Sequence, residues 1–147
     1  TISGFEKAVV STGRRSLVLA CEGGIVFYYD LGAKKLSKEE ALHKDRIYDI
    51  AVYENRLLTG TPERKARYFN GAKETWYETS FPVYKVALNS DIGAFSKEKS
   101  IVIIDKNGKE IKEIPYTGTL LTDLEFLPNG ELVGAGYDNN LYFWEAK

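Results

Sequence analysis

Twenty Lys and Arg against 21 Asp and Glu leave this 147-residue chain with a formal net charge of −1, which argues against sequence-independent nucleic-acid binding, a task that needs a basic surface. One Cys and one His cannot build an internal disulfide or an ordinary structural zinc site, and apolar runs of five or six residues fall far short of a bilayer span. At 44% hydrophobic the chain can bury a real core as one domain. The opening TISGFEKAVV lacks a signal-peptide pattern, so the expectation is a soluble, intracellular, cytoplasmic protein.

In chain order, short aromatic and β-branched clusters alternate with turn signals. KAVVST (7–12) leads into SLVLACEGGIVFYYD (16–30). Gly23-Gly24 there suits a tight hairpin and is no phosphate cradle, because no helix follows. Arg14-Arg15 reads as a solvated turn, and Cys21, in an apolar strand with no adjacent cation, as an inert core residue. Ser37 followed by Glu40 resembles a helix capping box. The window is under two turns long and has only Ala41 and Leu42 to bury, so an outer strand over 35–42 or a loop is expected. His43 beside Asp45 has the residue types of an acid–base pair, but the expectation is a turn histidine bonded to backbone or a neighbouring strand.

YDIAVY (48–53) then leads into NRLLTGTPERKARYFN (55–70), closed by Asn70-Gly71, with an outer strand expected over 74–80 that carries Trp76. YKVALN (84–89) leads into SDIGAFSKEKSIVIID (90–105). The following DKNGKE has the look of a partial calcium loop, yet Asn107-Gly108 is explained by a hairpin and the full ligand ladder is missing. An outer strand is expected over 110–115. TDLEFL (122–127), Asn129-Gly130 and GELVGAGYDNNLYFWE (130–145) complete the series.

The polar residues that end the four units, Asp30, Asn70, Asp105 and Glu145, fall 40, 35 and 40 positions apart. A period of that size with about four strands per unit is the arithmetic of a β-propeller. LVLAC (17–21), IVFYY (25–29) and IVII (101–104) do not alternate apolar with polar, so both faces of those strands should be covered. A propeller does this by stacking each blade between two others, whereas a sandwich leaves one face of each sheet wet. The expected fold is therefore all-β: four-stranded antiparallel blades, about four units (5–42, 43–80, 81–118 and 119–147), forming a partial or small propeller.

The last unit resembles a WD40 repeat. Trp144-Glu145 stands where that family often has Trp-Asp, Pro128-Asn129-Gly130 where it often has Pro-Asp-Gly, and Tyr137-Asp138 at its acidic turn between second and third strands. Leu42-His43, Thr59-Gly60 and Tyr29-Asp30 extend the resemblance towards the N-terminus. No unit carries the family's complete Trp, Ser or Thr, His and Asp set; His43 and Thr59 face Phe69 instead of Trp. The resemblance implies a non-catalytic protein-interaction scaffold without metal or cofactor, in which protein partners dock on the face built by the loops before the first strand and between the second and third. Carried over, that face holds Lys44, Arg46, Tyr48, Arg64, Tyr84, Tyr116 and Asp138, with Thr119, Glu22, Glu63 and Lys97 nearby. The rival is a propeller-fold enzyme of hydrolase or lactonase type with a central-channel site. Asp49 and Asp123 occupy equivalent channel positions, but Lys85 takes the third and Ala8 or Val9 the first, which supports metal ligation poorly.

Because the family usually has more blades, most often seven, the further expectation is that other blades complete the ring. They would come from a longer parent chain, a second polypeptide or a second copy of this one. Trp144 is expected at a blade junction, and Trp76 in a less critical outer position.

Overall fold

A computed structural model describes residues 5–11, 16–44 and 46–147, with the side chains of 5, 6, 8–11 and 22 outside that description. Arg14, Arg15 and Asp45 lie outside the described residues, so the pairing of His43 with Asp45 does too. Four antiparallel sheets follow one another along the chain. Blade 1 holds β1 (Phe5–Ser11), β2 (Ser16–Cys21), β3 (Ile25–Asp30) and β4 (Lys35–Ala41). Blade 2 holds β5 (Asp49–Tyr53), β6 (Arg56–Gly60), β7 (Lys65–Phe69) and β8 (Glu74–Glu78). Blade 3 holds β9 (Val86–Leu88), β10 (Ile92–Ser96), β11 (Ser100–Asp105) and β12 (Glu110–Pro115). Blade 4 is three-stranded among the described residues: β13 (Leu121–Phe126), β14 (Leu132–Gly136) and β15 (Leu141–Trp144).

Each sheet is a meander in sequence order, and the first strands β1, β5, β9 and β13 lie beside one another. This is the all-β stack of propeller-like blades that the repeat implies. The segment 35–41 is strand β4, paired with β3 from Ile25↔Ala41 to Asp30↔Lys35; two apolar residues could not have anchored a helix there. A three-residue 3-10 turn, Glu22–Gly24, makes the β2–β3 connection.

Stacking explains the missing alternation. In β11, Val102 and Ile104 pack towards blade 2 while Ile101 and Ile103 pack towards blade 4, and all four are buried. The outer strands β4 and β12 are mostly exposed and correspondingly rich in Lys and Glu.

The polar residue that ends each of the first three units closes a hairpin. Asp30 Oδ1 accepts from Gly32 N and Ala33 N, Asn70 Oδ1 from Ala72 N and Lys73 N, and Asp105 Oδ1 from Asn107 N and Lys109 N, all at 2.7–3.0 Å. These are Asx turns, in which a short side chain satisfies amides that the tight turn leaves free. Gly108 follows at φ +88°, a conformation an L side chain resists.

Candidate functional site

Cross-strand register defines equivalent positions in the four blades. Lys7 pairs with Ala20, Asp49 with Gly60 and Asp123 with Ala135, while Lys85 O accepts from Ser96 N and Lys85 N donates to Ser96 Oγ. The innermost column therefore reads Lys7, Asp49, Lys85, Asp123. This corrects the sequence alignment, which put Ala8 or Val9 in the first place; the register from Ser11↔Ser16 back to Lys7↔Ala20 sets Lys7 there. Lys7 forms an ion pair with Asp49, whose second oxygen accepts from Val86 N at 2.9 Å. With that carboxylate engaged by neighbours on both sides, Asp49 ties blade 2 to blades 1 and 3. Among the described residues no cluster of three or more His, Cys, Asp or Glu could hold a metal.

Around this column the loops that enter the first strands converge with the turns between second and third strands. Tyr48, just before β5, and Tyr84, ahead of β9, come from adjacent blades and stack with ring centroids 4.9 Å apart and planes 7° from parallel. Phe81 braces Tyr84 at 5.8 Å. Beside the pair opens a depression of about 230 Å3 lined by both tyrosines, Lys85, Leu120, Thr122 and Tyr137. Tyr137 is 70% exposed at the β14–β15 turn. Its amide donates to Leu120 O at 3.0 Å, and the Asp138 amide to Thr119 Oγ1, so the two loops hold each other.

The sequence-derived residues divide into three groups. Tyr48 and Tyr84 line the depression; Asp138 follows Tyr137 in the turn but does not line it, and its carboxyl is held below the usual range mainly by the hydrogen bond from Tyr142. Lys44, Arg46 and Arg64 are exposed, but Lys44 borders a different hollow with His43, Glu63 and Trp76, and none of the three lines the depression. Arg64 sits at φ +63° in the β6–β7 turn.

Tyr116 requires a correction. It is 5% exposed, packed edge-on against Tyr142 and Trp144, and burial pushes its hydroxyl up to about 12. Its ring lies over Gly118, where a Cβ would come within 2.6 Å of the Tyr142 hydroxyl. The loop folds back, and Tyr116 serves the blade junction instead of the binding face. Sequence reasoning left Leu120, Tyr137 and Phe81 out of the face. The signal for Tyr137 was its place immediately before the Asp138 turn, which projects the preceding side chain outward.

His43 is buried and bonds Thr59 Oγ1 through Nε2 at 2.7 Å, as expected of a histidine tied to a neighbouring strand. Trp76 covers it edge-on at 5.2 Å and is 42% exposed. Desolvation lowers the imidazole to about 4, against the opposing pull of Glu63.

The arrangement defines a class, the propeller-like β-blade proteins. No family model matches the sequence, and no curated protein does. Solved structures do match in fold. The crystal structure of the computationally designed Ika4 protein superposes with a TM-score of 0.83 over 100% of this chain and 94% of that one, at 14% identity. A chain of the crystal structure of the Mitotic Checkpoint Complex superposes with a TM-score of 0.77 over 95% of this chain, at 17% identity; this chain spans 48% of its length.

Proposed function

We propose that the protein is a non-catalytic interaction scaffold of the WD40-like kind, which holds a segment of a protein partner on the loop face around Tyr48, Tyr84 and Tyr137. The stacked Tyr48–Tyr84 pair beside an open depression is the observation that carries this reading. Stacking fixes both rings before any partner arrives, so little side-chain entropy remains to be lost on binding. Tyrosine combines a large apolar body with a polar tip and is over-represented among residues that dominate binding energy. Lys85 and Leu120 add a cation and an aliphatic wall, a combination suited to an acidic or aromatic peptide side chain. The fold likeness to a chain of a multiprotein checkpoint complex is in keeping with such a role.

Panning a displayed random-peptide library against the protein tests the proposal. Peptides should be selected whose affinity falls about tenfold or more in Tyr137→Ala, the cost expected of a binding hot spot, with the melting temperature unchanged. Failure to select peptides, or equal binding by Tyr137→Ala and Tyr84→Ala, would remove this face from consideration.

A further inference from the structure

We infer that a second copy of this chain completes the ring, the outer face of blade 4 packing against the outer face of blade 1 of the other copy at two equivalent seams. The register locates the first face. Val26, Ala66, Ile101 and Leu141 are equivalent third-strand positions, as are Tyr28, Tyr68, Ile103 and Phe143. In blades 1 to 3 these side chains form the junction with the next blade; Val26, Ala66, Ile101 and Ile103 are 0% exposed and Tyr68 1%. In blade 4, Leu141 is 66% and Phe143 58% exposed. Val133 and Ala135 pair with them across the sheet, so the same face continues along β14. Its polar departures are Asp123 and Glu125, on the innermost strand. Blade 4 therefore carries the face of an interior blade, exposed where blades 1 to 3 are covered.

Blade 1 offers the complementary face. Leu17 and Tyr29 occupy the positions of Leu57 and Phe69, with which blade 2 packs on blade 1. Tyr29 pairs with Leu36, which is 45% exposed. Leu17 and Tyr29 are half-buried, and Leu19 and Cys21 on the same side of β2 are buried, so the open part of this face is its outer edge; the exposed apolar face of blade 4 is of a kind that marks sites of association.

Charge selects the occupant. The inner column alternates Lys7, Asp49, Lys85, Asp123, and the Lys7–Asp49 contact shows that unlike charges of neighbouring blades meet in this column. When blade 1 of a second copy follows blade 4, Asp123 acquires a Lys7 neighbour and the alternation runs unbroken round the ring. Two copies make eight blades, within the usual range of about four to eight, whereas three copies exceed it. Two identical head-to-tail seams close without leaving a free end.

Light scattering on the wild-type chain should give twice 16.6 kDa at micromolar concentrations. Phe143→Glu and Tyr29→Glu should each give the monomer mass with an unchanged β-sheet circular dichroism spectrum, and mixing the two should restore dimers through the one intact seam. Asp123→Lys should weaken association about tenfold at low salt, and less at high salt. A wild-type monomer, a three-copy mass, or a dimer that survives Phe143→Glu would overturn the proposal. A dimer that survives Tyr29→Glu would mean that blade 4 pairs with itself, and would equally overturn it. Tyr137→Ala lies outside the seam, so peptide binding and ring closure fail independently.

Discussion

The junction between blades 2 and 3 and the junction between blades 3 and 4 hold the same kind of sheets together by different means. At the first, Tyr68 accepts from Arg56 Nε at 3.0 Å and donates to Lys106 O at 2.9 Å, while Arg56 Nη1 and Nη2 reach Asn89 O at 2.7 and 2.8 Å. Tyr77 adds a hydroxyl bond to Gly108 O. Blade 2 thus grips the turns of blade 3 through their carbonyl groups. At the second, Tyr116, Tyr142 and Trp144 form an aromatic stack, Tyr142 and Trp144 lying 5.8 Å apart and 6° from parallel. Polar latches fix geometry and punish the loss of a partner; aromatic packing contributes area and tolerates small shifts.

The largest effect should come from the aromatic side. Trp144→Ala removes the ring that fills the space above Gly134, where a Cβ would sit 2.9 Å from it, and should destabilise by about 3–5 kcal/mol in urea unfolding. A loss below about 1 kcal/mol would mean that this junction contributes little packing. Arg56→Met should cost about 2–3 kcal/mol, because Asn89 O and the Tyr68 hydroxyl lose their charged donor while most of the aliphatic stem remains. Arg56→Lys should recover only part, since one ammonium cannot reproduce the fork. Equal stability of Arg56→Met and wild type would make the latch incidental.

A third test uses pH. His43 is neutral in the fold, with a pKa lowered to about 4, against an unfolded value near 6.5. Between those values the unfolded chain binds more protons. The stability His43 contributes is therefore complete above about pH 6.5 and declines as pH falls towards 4, by about 3 kcal/mol in all. His43→Gln should flatten that part of the stability profile measured by chemical unfolding at each pH. An unchanged acid slope would locate the titration elsewhere.

The legible features were those carried by chemistry local in sequence. Two-faced apolar strands such as IVII announced stacked sheets, and the Asx residues Asp30, Asn70 and Asp105 marked the hairpins because a turn must satisfy its own amides. What escaped depended on register or on return of the chain. Lys7 entered the inner column only through the β1–β2 register, which pairs it with Ala20 and which no composition rule announces. Arg56 was given no role by its sequence neighbourhood and is 7% exposed, because the carbonyls that satisfy it lie more than 30 residues away. Tyr116 had the composition of a face residue, yet the Gly118 bend turned it inward. The candidate face was thus half legible: Tyr48 and Tyr84 by position in the repeat, Leu120 and Tyr137 only once two loops had been seen to meet.

The smallest expected effect separates the hairpin reading of DKNGKE from the calcium-loop reading. Asp105 Oδ1 already accepts from Asn107 N and Lys109 N at 2.8 and 3.0 Å, and Gly108 N donates to Asp105 O at 3.0 Å. The acceptor is what matters, since Asn70 closes the corresponding hairpin of blade 2 without a charge. Asp105→Asn should therefore change stability by no more than a few tenths of a kcal/mol, whereas Asp105→Ala, which removes the oxygen and leaves two turn amides to water, should cost about 1 kcal/mol. Calcium should leave the melting curves of all three proteins superimposed. A calcium-dependent rise in the melting temperature of the wild type that disappears in Asp105→Asn would show that the loop binds the ion and that the charge, not the turn, explains Asp105.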